Sequence, residues 1–317
     1  MPGLFDMRFI VNTGKGGVGK TTMSIAMAHA FARRGKRVLL MQLNAPDKLG
    51  RLYGKPPVGG AIVELAPNIW SVNPTPAEAM REYALMILRF SMVYKAVFEN
   101  RLVARFLRMM PGMPELVMLG KAYYHEKEEV DGRRVWDVVI LDAPATGHGM
   151  FLLQIPRVIS DALSSGLMAE EARRMLALLT DRRRTMLNIV TLAEEMPVNE
   201  TIDLKRRLDS EIGIQVGYII ANNIFPRLFD ATEERALTEL LDSHGTEDDD
   251  LGSLLAAGVF RFRRRALQDL HLQRLDKELG LPLVEVPFLF EADLTRDGIV
   301  RLADAFTRAV ETMEARR

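Results

Sequence analysis

Short unbroken apolar runs alternate along this chain with longer stretches of helical period, and that alternation is its first structural signal. Arg8 to Asn12 (RFIVN) and Arg37 to Gln42 (RVLLMQ) read as strands buried on both faces, since no regular polar alternation interrupts them. Ile69 to Val72, Val135 to Leu141, Met186 to Leu192, Gln215 to Ala221 and Leu283 to Val286 are further strand candidates. Thr21 to Arg34 (TTMSIAMAHAFARR) carries a helical pattern, and Gly35 stands where a C-cap glycine would. Strands separated by helices imply an α/β fold with a mainly parallel central sheet flanked by helices. Two segments depart from this rhythm. Pro76 to about Lys127 is helical with breaks at Pro111–Gly112 and Pro114, and Phe151 to Arg184 is helical again. The expectation is one domain over 1–317, with a helical subdomain from about 76–127 and 151–184.

Composition narrows the function classes. Of 317 residues, 48% are hydrophobic and 26% charged, with 42 basic residues balanced by 42 acidic ones. A neutral balance gives no electrostatic reason to expect nucleic acid as a partner. There are no cysteines, so thiolate metal sites, disulfides and thiol nucleophiles are ruled out. No apolar run reaches 18 residues and the N-terminus has no basic-then-apolar leader, so a cytoplasmic location is expected. The acidic run Glu247 to Asp250 and the basic run Arg261 to Arg265 are expected to be solvated faces.

The sharpest chemical signal is Gly14-Lys15-Gly16-Gly17-Val18-Gly19-Lys20-Thr21-Thr22, set between the first strand and the first helix. It satisfies G-x-x-x-x-G-K-[ST], the loop whose backbone N–H groups wrap a phosphate chain at a helix N-terminus. Lys20 is placed to neutralise β/γ-phosphate charge, and Thr21 to ligate Mg²⁺ through its hydroxyl. Gly14, Gly16 and Gly19 also fit G-x-G-x-x-G, so a nicotinamide site is a rival. That site needs an acidic residue ending the second strand, where Gln42-Leu43-Asn44 stands instead, and it leaves Lys20-Thr21 unexplained. Asp142 follows the buried run Val138 to Leu141 and delivers a carboxylate to the strand's C-terminal edge, as a second magnesium anchor. ATP or ADP with Mg²⁺ is therefore the expected cofactor set.

Lys15 lies too early in the loop to repeat the role of Lys20. With it, the segment resembles the deviant Walker A motif (K-G-G-x-G-K-T) of the SIMIBI ATPases, the MinD, ParA and ArsA group. The resemblance implies a homodimer closed across the nucleotide, in which Lys15 reaches the partner's phosphates. Asp142-Ala143-Pro144-Ala145-Thr146-Gly147-His148-Gly149 is similar to the D-T-A-P-T-G-H-T switch II signature of the arsenite-efflux and tail-anchored-protein targeting ATPases. Asp142, Thr146, Gly147 and His148 match, whereas Ala143 replaces Thr and Pro144–Ala145 are exchanged. By the same resemblance, Asn222 and Pro287 occupy adenine-contacting positions. Similarity runs from Arg8 to about Ala305, so the chain is identified as a single-P-loop member of the ArsA-type ATPase family.

Two departures change what is expected. The family's switch I, roughly V-L-L-x-S-T-D-P-A-H-S-L, aligns through Val38-Leu39-Leu40 and puts Asn44 at the position of the water-orienting Asp. An amide can orient water but cannot take its proton, so hydrolysis is expected to be slow, unless Asp47 substitutes. The lack of cysteine excludes the thiolate arsenite site and the zinc clip that the resemblance would otherwise imply, so arsenite transport is not the expected role. Methionines crowd the helical segment, with Met80, Met86, Met92, Met109, Met110, Met113 and Met118 as lining for a groove that takes an apolar helix. Core packing of the same side chains is the alternative. The functional expectation is a dimeric switch ATPase whose nucleotide state controls binding of a hydrophobic or membrane-protein client. A MinD/ParA-like localisation switch and a nearly inactive nucleotide-binding scaffold are the alternatives.

Overall fold

The computed structural model describes residues 3–88, 112–244 and 249–315, and of 83–88 the backbone alone. Eight strands form one sheet: β1 (Phe9–Thr13), β2 (Val38–Gln42), β3 (Val63–Ala66), β4 (Ile69–Val72), β7 (Val138–Asp142), β8 (Thr185–Leu192), β9 (Val216–Ile224) and β10 (Leu283–Pro287). Their order is β10-β9-β8-β1-β7-β2-β4-β3, and every pair is parallel except β3 against β4. A two-residue hairpin, β5 (Glu129–Val130) and β6 (Arg133–Arg134), stands apart from it. All seven expected strands are present. β3 and the hairpin were not expected: β3 is short and only partly buried, and the two-residue hairpin strands are exposed.

Alternate residues of each strand feed two cores, as the period of two requires. Ile10, Leu40, Ile140, Val190 and Ile220 face α1 (Lys20–Ala32), α2 (Leu49–Tyr53) and the last helix. Phe9, Leu39, Val139, Leu187 and Ile219 face the opposite layer. That layer comprises α3 (Pro76–Leu88), α4 (Met113–Lys127), α5 (Thr146–Ala162), α6 (Leu167–Thr180) and α7 (Glu195–Arg207). A hairpin of α8 (Ala231–His244) and α9 (Asp250–Leu279) follows, and α10 (Arg296–Glu314) packs on α1.

Of the methionines proposed to line a groove, Met113 and Met118 are buried in the core and Met80 packs against it. These three therefore follow the packing alternative. Met92, Met109 and Met110, and the side chain of Met86, lie outside the described residues. The basic run is also not a plain solvated face. Arg265 is largely buried between Asp269 and Glu285, and Arg261 lies over the rings of Phe225 and Phe290. No helix among the described residues is long and apolar enough to cross a membrane.

Candidate functional site

The C-terminal edge of the sheet gathers the chemistry. Strand register puts Asn12 and Gln42 each opposite Asp142, so a buried amide flanks the carboxylate on either side. β1 runs straight into the glycine loop, and α1 begins at Lys20. Two glycines of the loop are obligatory on steric grounds. Gly14 has φ 143°, and a Cβ there would sit 2.1 Å from the Val190 carbonyl oxygen. Gly19 has φ 93°, and its Cβ would sit 2.3 Å from Asn222 Nδ2. Any side chain at either position would push the loop off the strands that hold it.

Lys20 Nζ folds back to donate to the Lys15 carbonyl at 2.9 Å and the Gly14 carbonyl at 3.2 Å. Burial lowers its pKa, a tendency opposed by the charge of Asp142. Thr21 Oγ1 donates to Asp142 Oδ2 at 2.6 Å, and Gln42 Nε2 donates to the same oxygen at 3.2 Å. Asp142 is only 7% exposed. Burial raises its pKa, against the Thr21 and Gln42 hydrogen bonds and the Lys20 charge. Behind it, Asn12 Nδ2 donates to Ser24 Oγ and Asn188 Nδ2 to Asn12 Oδ1, a fully buried relay that fixes α1, β1 and β8 together.

Three buried oxygens near this edge have no hydrogen-bond partner among the described residues: Thr13 Oγ1, Gln42 Oε1 and Thr146 Oγ1. Buried polar atoms without partners are uncommon, and these end β1, end β2 and begin α5 respectively. Thr21 and Asp142, hydrogen-bonded to each other, offer oxygen donors only. Such a set suits Mg²⁺ and polar phosphate or water oxygens, and not a soft metal. The start of α5 and the glycine loop are physically joined, because Thr146 N–H donates to the Gly14 carbonyl at 3.1 Å. His148 is exposed in the first turn of α5, so it is not a core histidine.

Beside the loop lies a cavity of about 250 Å³ lined by Gly17, Gly19, Thr22, Asn222, Asn223 and Pro287 among others. Asn222 and Pro287, which the sequence singles out, thus meet Thr22 there. Asn222 is buried, and its amide donates to the Val18 carbonyl at 3.0 Å, so it also braces the loop. Asn223 was missed. The signal available was its position after Asn222 at a strand end, in the left-handed conformation (φ 58°) that asparagine tolerates.

Lys15 and Asn44 stand apart from this cluster. Lys15 Nζ lies 2.8 Å from Glu200 Oε1 on α7, with both side chains partly exposed. Asn44 is exposed at φ 52°, its N–H donating to the Pro74 carbonyl. Asp47 Oδ1 accepts from Gly50 N–H at 3.0 Å, which ties that carboxylate to the start of α2.

A sequence profile described as anion-transporting ATPase matches residues 7–169 and 164–237. The chain belongs to that family. This ATPase-family chain is 27% identical over 273 residues to ATPase BagA of Mycobacterium tuberculosis, covering 81% of itself and 76% of that protein. It is also 27% identical over 237 residues to the arsenical pump-driving ATPase of Escherichia coli, covering 69% of itself and 40% of that relative. A corresponding ATPase of Acidiphilium multivorum matches at 27% over 236 residues, again across 40% of its length. The parallel sheet and its phosphate loop are those of a P-loop NTPase of this family, and ATP hydrolysis is the activity its named members share.

Proposed function

We propose that this chain is a slow, Mg²⁺-dependent ATP switch that works as a homodimer closed across its nucleotides. It is read as one P-loop domain over 1–317, with the helices of 76–127 and 151–184 as its subdomain. The observation that carries the reading is the Thr21–Asp142 hydrogen bond at 2.6 Å beside the Lys20 ammonium. Gly14 to Thr22 would hold the phosphates, with Lys20 exchanging its loop carbonyls for phosphate oxygens. Thr21 and Asp142 would hold Mg²⁺, which supplies charge neutralisation on the transferred phosphoryl group. Asn222 and Pro287 would border the base. Lys15 would leave Glu200 to reach the partner's nucleotide, and Asn44 would orient water without accepting its proton. The tied Asp47 carboxylate gives no support to its taking that proton instead.

Nucleotide state would then control a hydrophobic or membrane-protein client, although Met113 and Met118 are too buried to be its docking surface. A localisation switch with a terminal membrane helix is less favoured. The apolar face of α10, including Ile299, Leu302, Phe306 and Val310, is already covered by the core around α1. The deciding experiment is light scattering in apo, ADP and ATP-analogue states, paired with phosphate release. A doubling of mass with the analogue alone supports the reading; an unchanging monomer with normal turnover overturns it.

A further inference from the structure

At the opposite edge of the sheet, where the strands begin, a cavity of about 410 Å³ is lined by Arg8, Lys127, Glu129, Arg134 and Arg184. Three separate segments build it, around residues 8, 127–134 and 184. Arg8 precedes β1, Arg184 precedes β8, Lys127 ends α4, and Glu129 and Arg134 pair across the β5–β6 hairpin. The phosphate loop lies at the far end of β1, so this cavity is no part of the nucleotide site.

Its charges are not balanced internally. The fully buried carboxylate of Glu126 takes both Arg8, at 3.2 Å, and Arg184. Arg134 reaches Glu129 only at 3.8 Å, beyond hydrogen-bond range. Lys127 Nζ rests 4.2 Å from the centre of the Tyr123 ring and pairs with no carboxylate among the described residues. Four cations thus face two carboxylates. Arg8 Nη2 donates to the Glu126 carbonyl at 2.6 Å, but its Nε is buried with no partner among the described residues. A buried guanidinium donor left unmatched is unfavourable, and an anionic oxygen is the acceptor that matches it best. Glu126 meanwhile fixes two arginine forks in place, which lowers the entropic cost of receiving a ligand.

We propose that this cavity is a second anion site that binds a small phosphoanion of pyrophosphate type. Charged walls and two preset guanidinium groups suit a compact polyanion over a nucleoside, which needs apolar cover. The test is calorimetric titration of inorganic pyrophosphate into the Lys20→Ala chain, with ADP in excess to fill what remains of the loop site. One pyrophosphate per chain is expected, with affinity falling as salt rises. Lys127→Ala/Arg134→Ala, both exposed positions, is expected to weaken it about tenfold or more while the unfolding midpoint holds. Arg8→Lys keeps a charge beside Glu126 but removes Nε, and is expected to weaken binding as well. Absence of binding in the Lys20→Ala chain, or binding untouched by both sets of substitutions, overturns the proposal.

Discussion

Lys15 is held by its own chain: its ammonium lies 2.8 Å from the carboxylate of Glu200 on α7. Both side chains are partly exposed, so the pair is worth only about 0–1 kcal/mol and can exchange for a better partner. A triphosphate offers more charge than one carboxylate. Glu200→Gln is therefore expected to leave stability within about 0.5 kcal/mol and to strengthen analogue-dependent dimerisation by up to about fivefold. Lys15→Ala is expected to abolish that dimer and reduce turnover about a thousandfold, the scale of a lost trans cation. Light scattering and phosphate release read both. A dimer that forms equally well in Lys15→Ala would remove the trans role.

Asn44→Asp isolates the chemistry of switch I. Asparagine and aspartate both tolerate φ near 52°, and the side chain is exposed, so folding should be indifferent to the exchange. The new carboxylate can take a proton from water, and steady-state hydrolysis is expected to rise at least about tenfold. Nucleotide affinity measured alongside should stay unchanged. An equal or lower rate at unchanged affinity counts against Asn44 as the water-facing residue.

Asp142→Asn separates binding chemistry from stability. Burial raises the pKa of this carboxyl, so its charge weighs against the apo fold as pH rises through the shifted value. The amide keeps an oxygen for Thr21 and Gln42 and carries no charge. The apo melting temperature at neutral pH should be equal or higher. Magnesium-dependent nucleotide binding and turnover should fall by about 100-fold or more, as expected when a metal's charged anchor is lost. A large drop in apo stability would instead mark Asp142 as a structural charge held by Lys20.

Met118→Ala distinguishes core from client groove. Met118 is 4% exposed within the core that includes Val139 and Leu152. Its truncation is expected to cost about 2–5 kcal/mol in urea unfolding. A stability change under 1 kcal/mol, roughly that of a surface position, would return this side chain to the groove.

What was legible in the sequence follows from where information is local. β2 and β7 are buried along their whole length, so each reads as an uninterrupted apolar run. β3 is only partly buried and four residues long, and it pairs antiparallel through a tight Pro67–Asn68 turn that no apolar period announces. The phosphate loop was legible because its residues are contiguous. The Lys15–Glu200 pair and the Arg8–Glu126–Arg184 cluster join segments far apart in sequence, where only the fold reports proximity. The basic run misled for a related reason. Charge density suggested solvent, yet Arg265 and Asp269, one helical turn apart, were a pair that spacing alone offered.

Acid sensitivity should centre on His29. Its Nε2 lies 2.6 Å from the Tyr53 hydroxyl on α2, and burial, with Arg33 and Arg296 nearby, lowers its pKa to about 4. Tyr53 is pushed the other way by burial, to about 12, so the pair is neutral across the physiological range. An unfolded histidine takes up its proton near pH 6.5, before the folded one does. Between those values the unfolded state binds more protons, so stability falls as pH drops from 6.5 towards 4 and levels off below. Because the ring is partly exposed, solvent screening trims the effect to about 1–2 kcal/mol. Urea unfolding at pH 7, 6, 5 and 4 should show this decline, and His29→Gln should flatten it over that window. A decline of the same size in the variant would remove His29 as its source; Glu78 and Asp249, whose pKa values are lowered by backbone hydrogen bonds, shed stability at still lower pH and act outside this window.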